Sequence, residues 1–388
     1  MRYAKIVGDE NVTETREELE AYSFMNSEKT MIPSLVVWPE DTEAVARILR
    51  DTNATRTHVI IRGAGTSYSK EAAAQNAIIL SSERMSKTVH LDKNTNLLEV
   101  QSGVRMSDIQ FALSETNYQV PFTTFNPSAT VGGLLARNAA SKDSEVFGRF
   151  SELVDEFEFV DGTGKIYYLK NKAMVAGKEG LSGFITRMKL KLVEMQILSL
   201  DAWPFQDIPE MLKKVTQLKK DKERCFVEFL DKNTASSLGF DSEYTLVVAY
   251  TTLKGAYNSA LDVRGLLKKL DFVHQAKRQE GYFYMIDPEV SLEKTYDLIK
   301  WCETNQVPLH GHAGIGVFYA YFKQGENSKM DSFKRFMQTI NSKLSGTLGK
   351  GFMNYEFLTV PEKKALIKLK DEYDYNNTLN PGRIISYR

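Results

Sequence analysis

HVIIRGAGTS, residues 58–67, is the stretch that decides the fold. A β-branched run, residues 58–61, enters a loop written Arg62-Gly63-Ala64-Gly65-Thr66-Ser67. Val and Ile suit a pleated strand, and the glycines that follow break it into a tight loop. Glycine lets backbone N–H groups approach an anion with no Cβ in the way, and Thr66 and Ser67 add hydroxyl donors. Taken alone, the loop also reads as a plain tight turn, which is the more frequent explanation. Two other phosphate-binding fingerprints fail on detail. A dinucleotide fingerprint wants a third glycine where Tyr68 stands, and residues 346–351 (GTLGKG) put glycine after the lysine where a P-loop wants Ser or Thr.

Working outward, two more loops have the same texture. Asn126-Pro127-Ser128-Ala129-Thr130-Val131-Gly132-Gly133 opens the run 134–140; it suits an anion, or simply caps a helix through Ser128 or Thr130. Residues 177–186 (GKEGLSGFIT) lead into a stretch where Met188, Leu190 and Leu192 alternate with Arg187, Lys189 and Lys191, the pattern of a half-buried strand. Asp41 predicts a helix cap with the helix running to about residue 50, and 161–164 (DGTG) predicts a hairpin between 153–160 and 165–169. After Glu194 the texture changes. Helices are expected over 208–220, 256–270, 289–303, 330–344 and 362–373, with strands over 226–230, 244–250 and 317–322. Trp203-Pro204 and 207–209 read as breaks. These changes divide the chain into 1–196, an α+β domain over 197–345, and a tail, 346–388, that packs back.

Composition narrows the function. Of 388 residues, 42% are hydrophobic and 26% charged, enough for a core in each of two domains. Lys+Arg 50 against Asp+Glu 50 leaves no net charge, so nucleic acid is not an expected partner. Cys225 and Cys302 are the only cysteines, which rules out a disulfide framework, a cysteine zinc site or an iron–sulfur cluster from this chain. No stretch nears the roughly 18 apolar residues of a membrane span, and the N-terminal residues lack an apolar signal core. A cytoplasmic setting is expected, with peripheral contact with a membrane left open.

The loops fall in a familiar order. IPSLVVWP (32–39), RGAGTS, NPSATVGG followed by Asn138, Phe147-Gly148, the Val160-Asp161-Gly162 turn and GKEGLSGFIT succeed one another over the first half, and Asn380-Pro381-Gly382-Arg383-Ile384 closes the chain. This series resembles the FAD-binding domain of the p-cresol-methylhydroxylase / vanillyl-alcohol-oxidase superfamily, on the branch of D-lactate dehydrogenase and the glycolate oxidase FAD subunit. The resemblance implies an α+β fold: a two-subdomain FAD-binding domain, a cap of antiparallel sheet and helices, and a tail near the flavin. It implies that Gly63, Ala64, Gly65, Thr66 and Ser67 cradle the diphosphate. Ser128, Thr130, Gly132 and Gly133 then line its other side, with Glu179, Gly183 and Ile185 near the adenosine. Arg62, Pro127, Asn138 and Asn380 complete the expected cofactor set. RGAGTS offers no His or Cys for covalent attachment, so FAD is expected to be non-covalent. Lys70-Glu71 departs from the family's glycines, which bears on the loop's closing turn.

The catalytic motifs depart further. Where that branch has G-H-x-G-D-G-N-x-H, this chain reads Gly311-His312-Ala313-Gly314-Ile315-Gly316-Val317-Phe318-Tyr319, and its later E-H-G-x-G aligns with residues 345–351, placing Thr347 and Leu348 at Glu and His. One histidine of that set cannot hold a divalent ion tightly, so no metal is expected. Oxidising a 2-hydroxy acid needs a cation for the carboxylate, a base for the hydroxyl and a hydride aimed at the flavin. His312 is the candidate base and Arg383 the candidate cation, with Arg105, Arg137 and Arg149 unranked. Tyr319 is a third catalytic candidate. His310 shares the His312 face of a strand, and Tyr321 is a further neighbour. Each also has a structural reading: histidine as a satisfied core group, tyrosine as sheet packing, arginine as surface. The expected activity is hydride transfer from a small 2-hydroxy acid to FAD, and thence to a quinone or redox partner protein. The alternatives are another alcohol or sugar substrate, or an FAD-binding electron-transfer or scaffold subunit. A homo-oligomer or a place in a redox complex are both open.

Overall fold

The computed structural model describes residues 2–384 apart from 26–27, 30–31, 68–76, 253, 258, 347–356 and 383. The first sheet pairs Leu35–Val37, Ile78–Ser81 and Val59–Arg62 in parallel, with Val12–Thr13 antiparallel at one edge. Its middle strands are continuous apolar runs because both faces are covered: Val37, Leu80 and Val59 face the helix Thr42–Thr55, and Val36 and Ile79 the other side. Asp41 caps that helix by accepting from Ala44 N at 2.7 Å. The helix runs to Thr55, five residues past the expected end.

The second sheet is antiparallel throughout, in the order Ile166–Leu169, Val154–Asp161, Gly183–Lys191, Leu97–Gln101, Thr88–Asp92. Met188 and Leu190 bury against the helices Met106–Leu113 and Val131–Arg137, while Arg187 and Lys189 point away. The 161–164 turn closes the expected hairpin, with Asp161 Oδ1 accepting from the backbone of Thr163 and Lys165.

Beyond Glu194 the chain builds an eight-stranded antiparallel sheet. Its central strands run Ser199–Phe205, Tyr244–Tyr250, Arg224–Leu230, Leu309–His312, Val317–Lys323. Alternation sorts the side chains. Val227, Phe229, Phe318, Ala320 and Phe322 pack under the helices Ile208–Leu218, Leu292–Thr304 and Asn327–Thr339. Phe226, Leu230, Val317, Tyr319 and Tyr321 face the helices Ala260–Asp271 and Val273–Gln279, together with Phe125 and Ala140 from the first half.

Four expectations are corrected. The helix expected over 256–270 begins at Ala260, because Ser259 caps it by accepting from Asp262 N at 3.2 Å. Trp203-Pro204 lies inside a strand, and the edge position explains it: a proline lacks only the N–H that an edge strand can spare. The helix expected over 330–344 starts at Asn327 and ends at Thr339, because Asn341 turns left-handed (φ 53°) and Lys343–Leu344 joins the sheet. The helix expected from 289 begins at Leu292, since Pro288–Glu289 is a strand. The tail returns to the first half: the helix Val360–Tyr373 packs beside Leu181, and Leu379 bridges Val59 in parallel. Among the described residues no helix is long and apolar enough to cross a membrane.

Candidate functional site

The three glycine loops converge. One cleft is lined by Arg62, Gly63, Gly132, Gly133, Glu179, Gly183 and Ile185, seven of the residues expected to hold the cofactor. Ile61, Ala136, Arg137, Gly180 and Phe184 also line it, as do Ser82 and Ser102, for which the sequence gives no signal. Ala64, Gly65, Thr66 and Ser67 continue the same loop, with Gly65 at φ +67° and Ser67 buried. The loop's entry is rigid because Arg62 donates to Tyr22 O at 3.0 Å and stacks over the Tyr22 ring at 5.0 Å. Thr130 caps the helix Val131–Arg137, accepting from Gly133 N at 3.4 Å, and its hydroxyl also lies against Gly63. The helix-cap and anion readings of this loop are therefore compatible, since the accepting hydroxyl still has a proton to donate.

The remaining expected cofactor residues sit elsewhere. Pro127 and Ser128 lie on an exposed turn, with Pro127 O accepting from Ser107 N at 2.9 Å. Asn138 ends the helix left-handed (φ 53°), its Oδ1 accepting from Ser151 N at 3.1 Å. It opens onto a neighbouring cavity of about 260 Å³ lined by Arg137, Arg149, Glu289 and Ser345. Asn380 stands behind the cleft: Oδ1 accepts from Ile61 N at 2.9 Å, and Nδ2 donates to Glu179 O at 2.8 Å. Arg383, Lys70, Glu71 and the motif residues 347–351 lie outside the described residues. Arg149 pairs with Glu289 at 2.6 Å.

The cleft, of about 80 Å³, offers glycine backbone and a hydroxyl of the kind that would hold the diphosphate part of FAD. Ser102 Oγ is buried there without a hydrogen-bond partner, a state that costs about 1–3 kcal/mol unless a ligand satisfies it. Gly132 passes so close that a Cβ would lie 2.8 Å from Ser102 Cβ, keeping backbone rather than side chain at the wall.

A second polar layer lies on the cap-sheet face that meets the first half. Its buried members are Glu228, His310, His312, Tyr319 and Tyr321, from three adjacent strands, and His274 from the helix Val273–Gln279. His312 Nδ1 lies 2.5 Å from Glu228 Oε1, and Tyr319 OH lies 3.2 Å from His312 Nε2. Tyr321 OH lies 2.7 Å from His274 Nδ1 and 2.8 Å from His310 Nδ1. Phe125, next to the NPSATVGG loop, stacks parallel to His312 at 5.9 Å and edge-on to His274 and Tyr319. Burial pushes His274 down to about 3 and His310 well below the usual imidazole range, with the neighbouring histidines adding to the effect. Both rings are neutral at pH 7. His310 and His312 do share a face, as their spacing implies. Glu228, His274 and Phe125 escaped the sequence reading. Glu228 alone left a signal, an acid inside the apolar run FVEFL.

Fold and cleft together define a class: a flavoprotein whose FAD-binding half is covered by an antiparallel cap. Residues 33–170 match the family described as FAD binding domain. The chain is 23% identical to a D-lactate dehydrogenase of Archaeoglobus fulgidus (94% of this chain, 96% of that protein) and 24% identical to one of Anaerostipes hadrus (98% and 94%). Among solved structures, p-cresol methylhydroxylase with substrate bound superposes with TM-score 0.77 over 99% of this chain and 96% of that one, at 15% identity. The chain is an FAD-linked oxidoreductase with a fold like that of p-cresol methylhydroxylase, and FAD is its cofactor.

Proposed function

We propose that this chain oxidises a small 2-hydroxy acid, with hydride passing from C2 to non-covalently held FAD and electrons passing on to a quinone or redox partner. The observation that carries the reading is the His312–Tyr319 pair on the cap face opposite the loop that leads into Thr130. When bound, FAD supplies a two-electron acceptor. The protein's part is to hold the acid, exclude water and remove the hydroxyl proton. Tyr319 and His312, both buried, provide the proton acceptor. Arg383 is the proposed partner of the substrate carboxylate. Relatives named D-lactate dehydrogenase and, over 42% of this chain, D-2-hydroxyglutarate dehydrogenase of Xanthomonas citri support the substrate class. Among the described residues neither cysteine nor histidine lines the glycine cleft, which supports non-covalent attachment.

The test is an anaerobic visible spectrum of the purified yellow protein, followed during addition of D- and L-lactate, glycolate and D-2-hydroxyglutarate. Bleaching by one acid is expected, with FAD released intact on acid precipitation. A yellow protein that none of them bleaches would overturn the substrate assignment and leave the flavoprotein class standing.

A further inference from the structure

His312 is the obvious base, yet both of its ring nitrogens are engaged. A carboxylate only accepts hydrogen bonds, so Glu228 Oε1, 2.5 Å away, places a proton on His312 Nδ1. In the neutral ring Nε2 then accepts, and its neighbour at 3.2 Å, Tyr319 OH, donates. Glu228 and His312 are each 3% exposed and Tyr319 is 0% exposed, so water does not compete with this ordering. We infer that the substrate's hydroxyl proton leaves through Tyr319 to His312, with Glu228 as the positioning residue that fixes the His312 tautomer and stabilises the imidazolium.

The inference rests on the 2-hydroxy-acid reading, and the step balances. The substrate O–H bond breaks as its proton joins the Tyr319 oxygen, and the Tyr319 proton moves to His312 Nε2. The C2–H bond breaks with its electron pair going to FAD, and C2–O becomes a carbonyl. The proton ends on His312, charged between Glu228 and a neutral phenol. Tyr319 is the end of the chain away from Glu228, and in the proposed relay it is the member that meets the substrate; like His274 and His312 it packs against Phe125 from the FAD-binding half. The neighbouring chain is not equivalent. Tyr321 has one hydroxyl proton between two Nδ1 atoms, so one imidazole donates and the other accepts, whereas in the Glu228 chain the carboxylate sets the direction.

Two readouts test this. Long-range 15N–1H correlation on histidine-labelled holoenzyme reports ring tautomers; with five histidines in the chain, His312→Gln assigns the signal. His312 protonated on Nδ1 is expected, and Nε2 protonation in the wild type would overturn the relay whatever the substrate. In kinetics, Tyr319→Phe and Glu228→Gln are each expected to lower kcat about 100-fold with KM within about threefold, and Glu228→Asp to restore part of the loss. Either isosteric variant turning over at the wild-type rate overturns the relay, provided FAD content is unchanged. A wild type that no 2-hydroxy acid bleaches removes the substrate reading instead, and the tautomer still decides the chain.

Discussion

At the scale of single residues, the site depends on groups held where solvent cannot relax them. Gly65 combines a left-handed backbone (φ +67°) with a Cβ position taken by the Arg62 guanidinium. Valine there would be strained, since a left-handed L-residue costs roughly 1–2 kcal/mol, and would push Arg62 off Tyr22. Gly65→Val is expected to purify with at least about tenfold less FAD per chain; an unchanged flavin-to-protein absorbance ratio would refute the cradle. The histidine layer makes a different prediction. Burial lowers His274 to about 3, whereas the unfolded residue titrates at 6.5. Below 6.5 the unfolded chain takes up a proton that the folded one refuses. The stabilising effect of keeping this ring neutral is therefore complete above 6.5 and is lost as pH falls towards 3. His310, lowered in the same direction, adds to it. Urea unfolding at pH 7.5 and pH 5 should differ by a few kcal/mol, on the order of 1.4 kcal/mol per pH unit per histidine, and His274→Leu should shrink the difference. Equal pH sensitivity in the two proteins would contradict it.

At the scale of elements, what the sequence could announce was whatever is local. The strand before Arg62, the Asp41 cap, the 161–164 hairpin and the alternation through Met188 and Leu190 each depend on neighbours within a few residues, and each stands in the structure. Elements that depend on distant partners were harder. Pro204 reads as a break until the edge strand it occupies is known, and Lys343–Leu344 is a strand only because Pro288–Glu289 lies beside it. The site divides the same way. The glycine loops were legible because close backbone approach demands glycine, and the structure brings them to one cleft. Phe125, Glu228 and His274 join His312 and Tyr319 only through the tertiary fold, so no spacing could announce that part of the layer. The tail shows how a short element acts at a distance. Asp374 accepts from Thr378 N and Leu379 N at 3.0 and 2.8 Å and pairs with the buried Lys370. That knot delivers Asn380 between Ile61 and Glu179, tying the strand before the diphosphate loop to the loop behind it. Asn380→Ala should weaken FAD binding about tenfold or more in a titration of apoprotein, while a variant that binds as the wild type would show that the strap does not position the cleft.

At the scale of the whole molecule, the chemistry requires that the cap stay registered over the FAD-binding half, and one short stretch does much of this. Lys142 pairs with Asp271 at 2.5 Å, Glu145 with Arg224 at 2.5 Å, and Arg149 with Glu289 at 2.6 Å, three ion pairs from eight consecutive residues of one half to three elements of the other. The middle pair is the most buried, with side chains 9% and 10% exposed. Burial raises the Glu145 carboxyl and Arg224 opposes the rise, as expected of a charge that survives by virtue of its partner. Gly314 belongs to the same contact. It lies in the turn just after His312, and a side chain there would strike the Glu145 carboxylate, so the glycine of that motif serves the junction between halves. Glu145→Gln would leave a buried guanidinium without its counter-charge, with an expected loss of roughly 3–5 kcal/mol. Arg224→Met in that background should recover part of the loss, giving a coupling above about 1 kcal/mol in a double-mutant cycle. FAD content should hold, because neither residue lines the glycine cleft. Cleavage near the exposed Met195 and Ile197, where the two halves join, should quicken as the cap loosens. Additive effects in the cycle with unchanged proteolysis would mean that the halves are held by their apolar contact through Phe125 and Ala140, with the ion pairs contributing little.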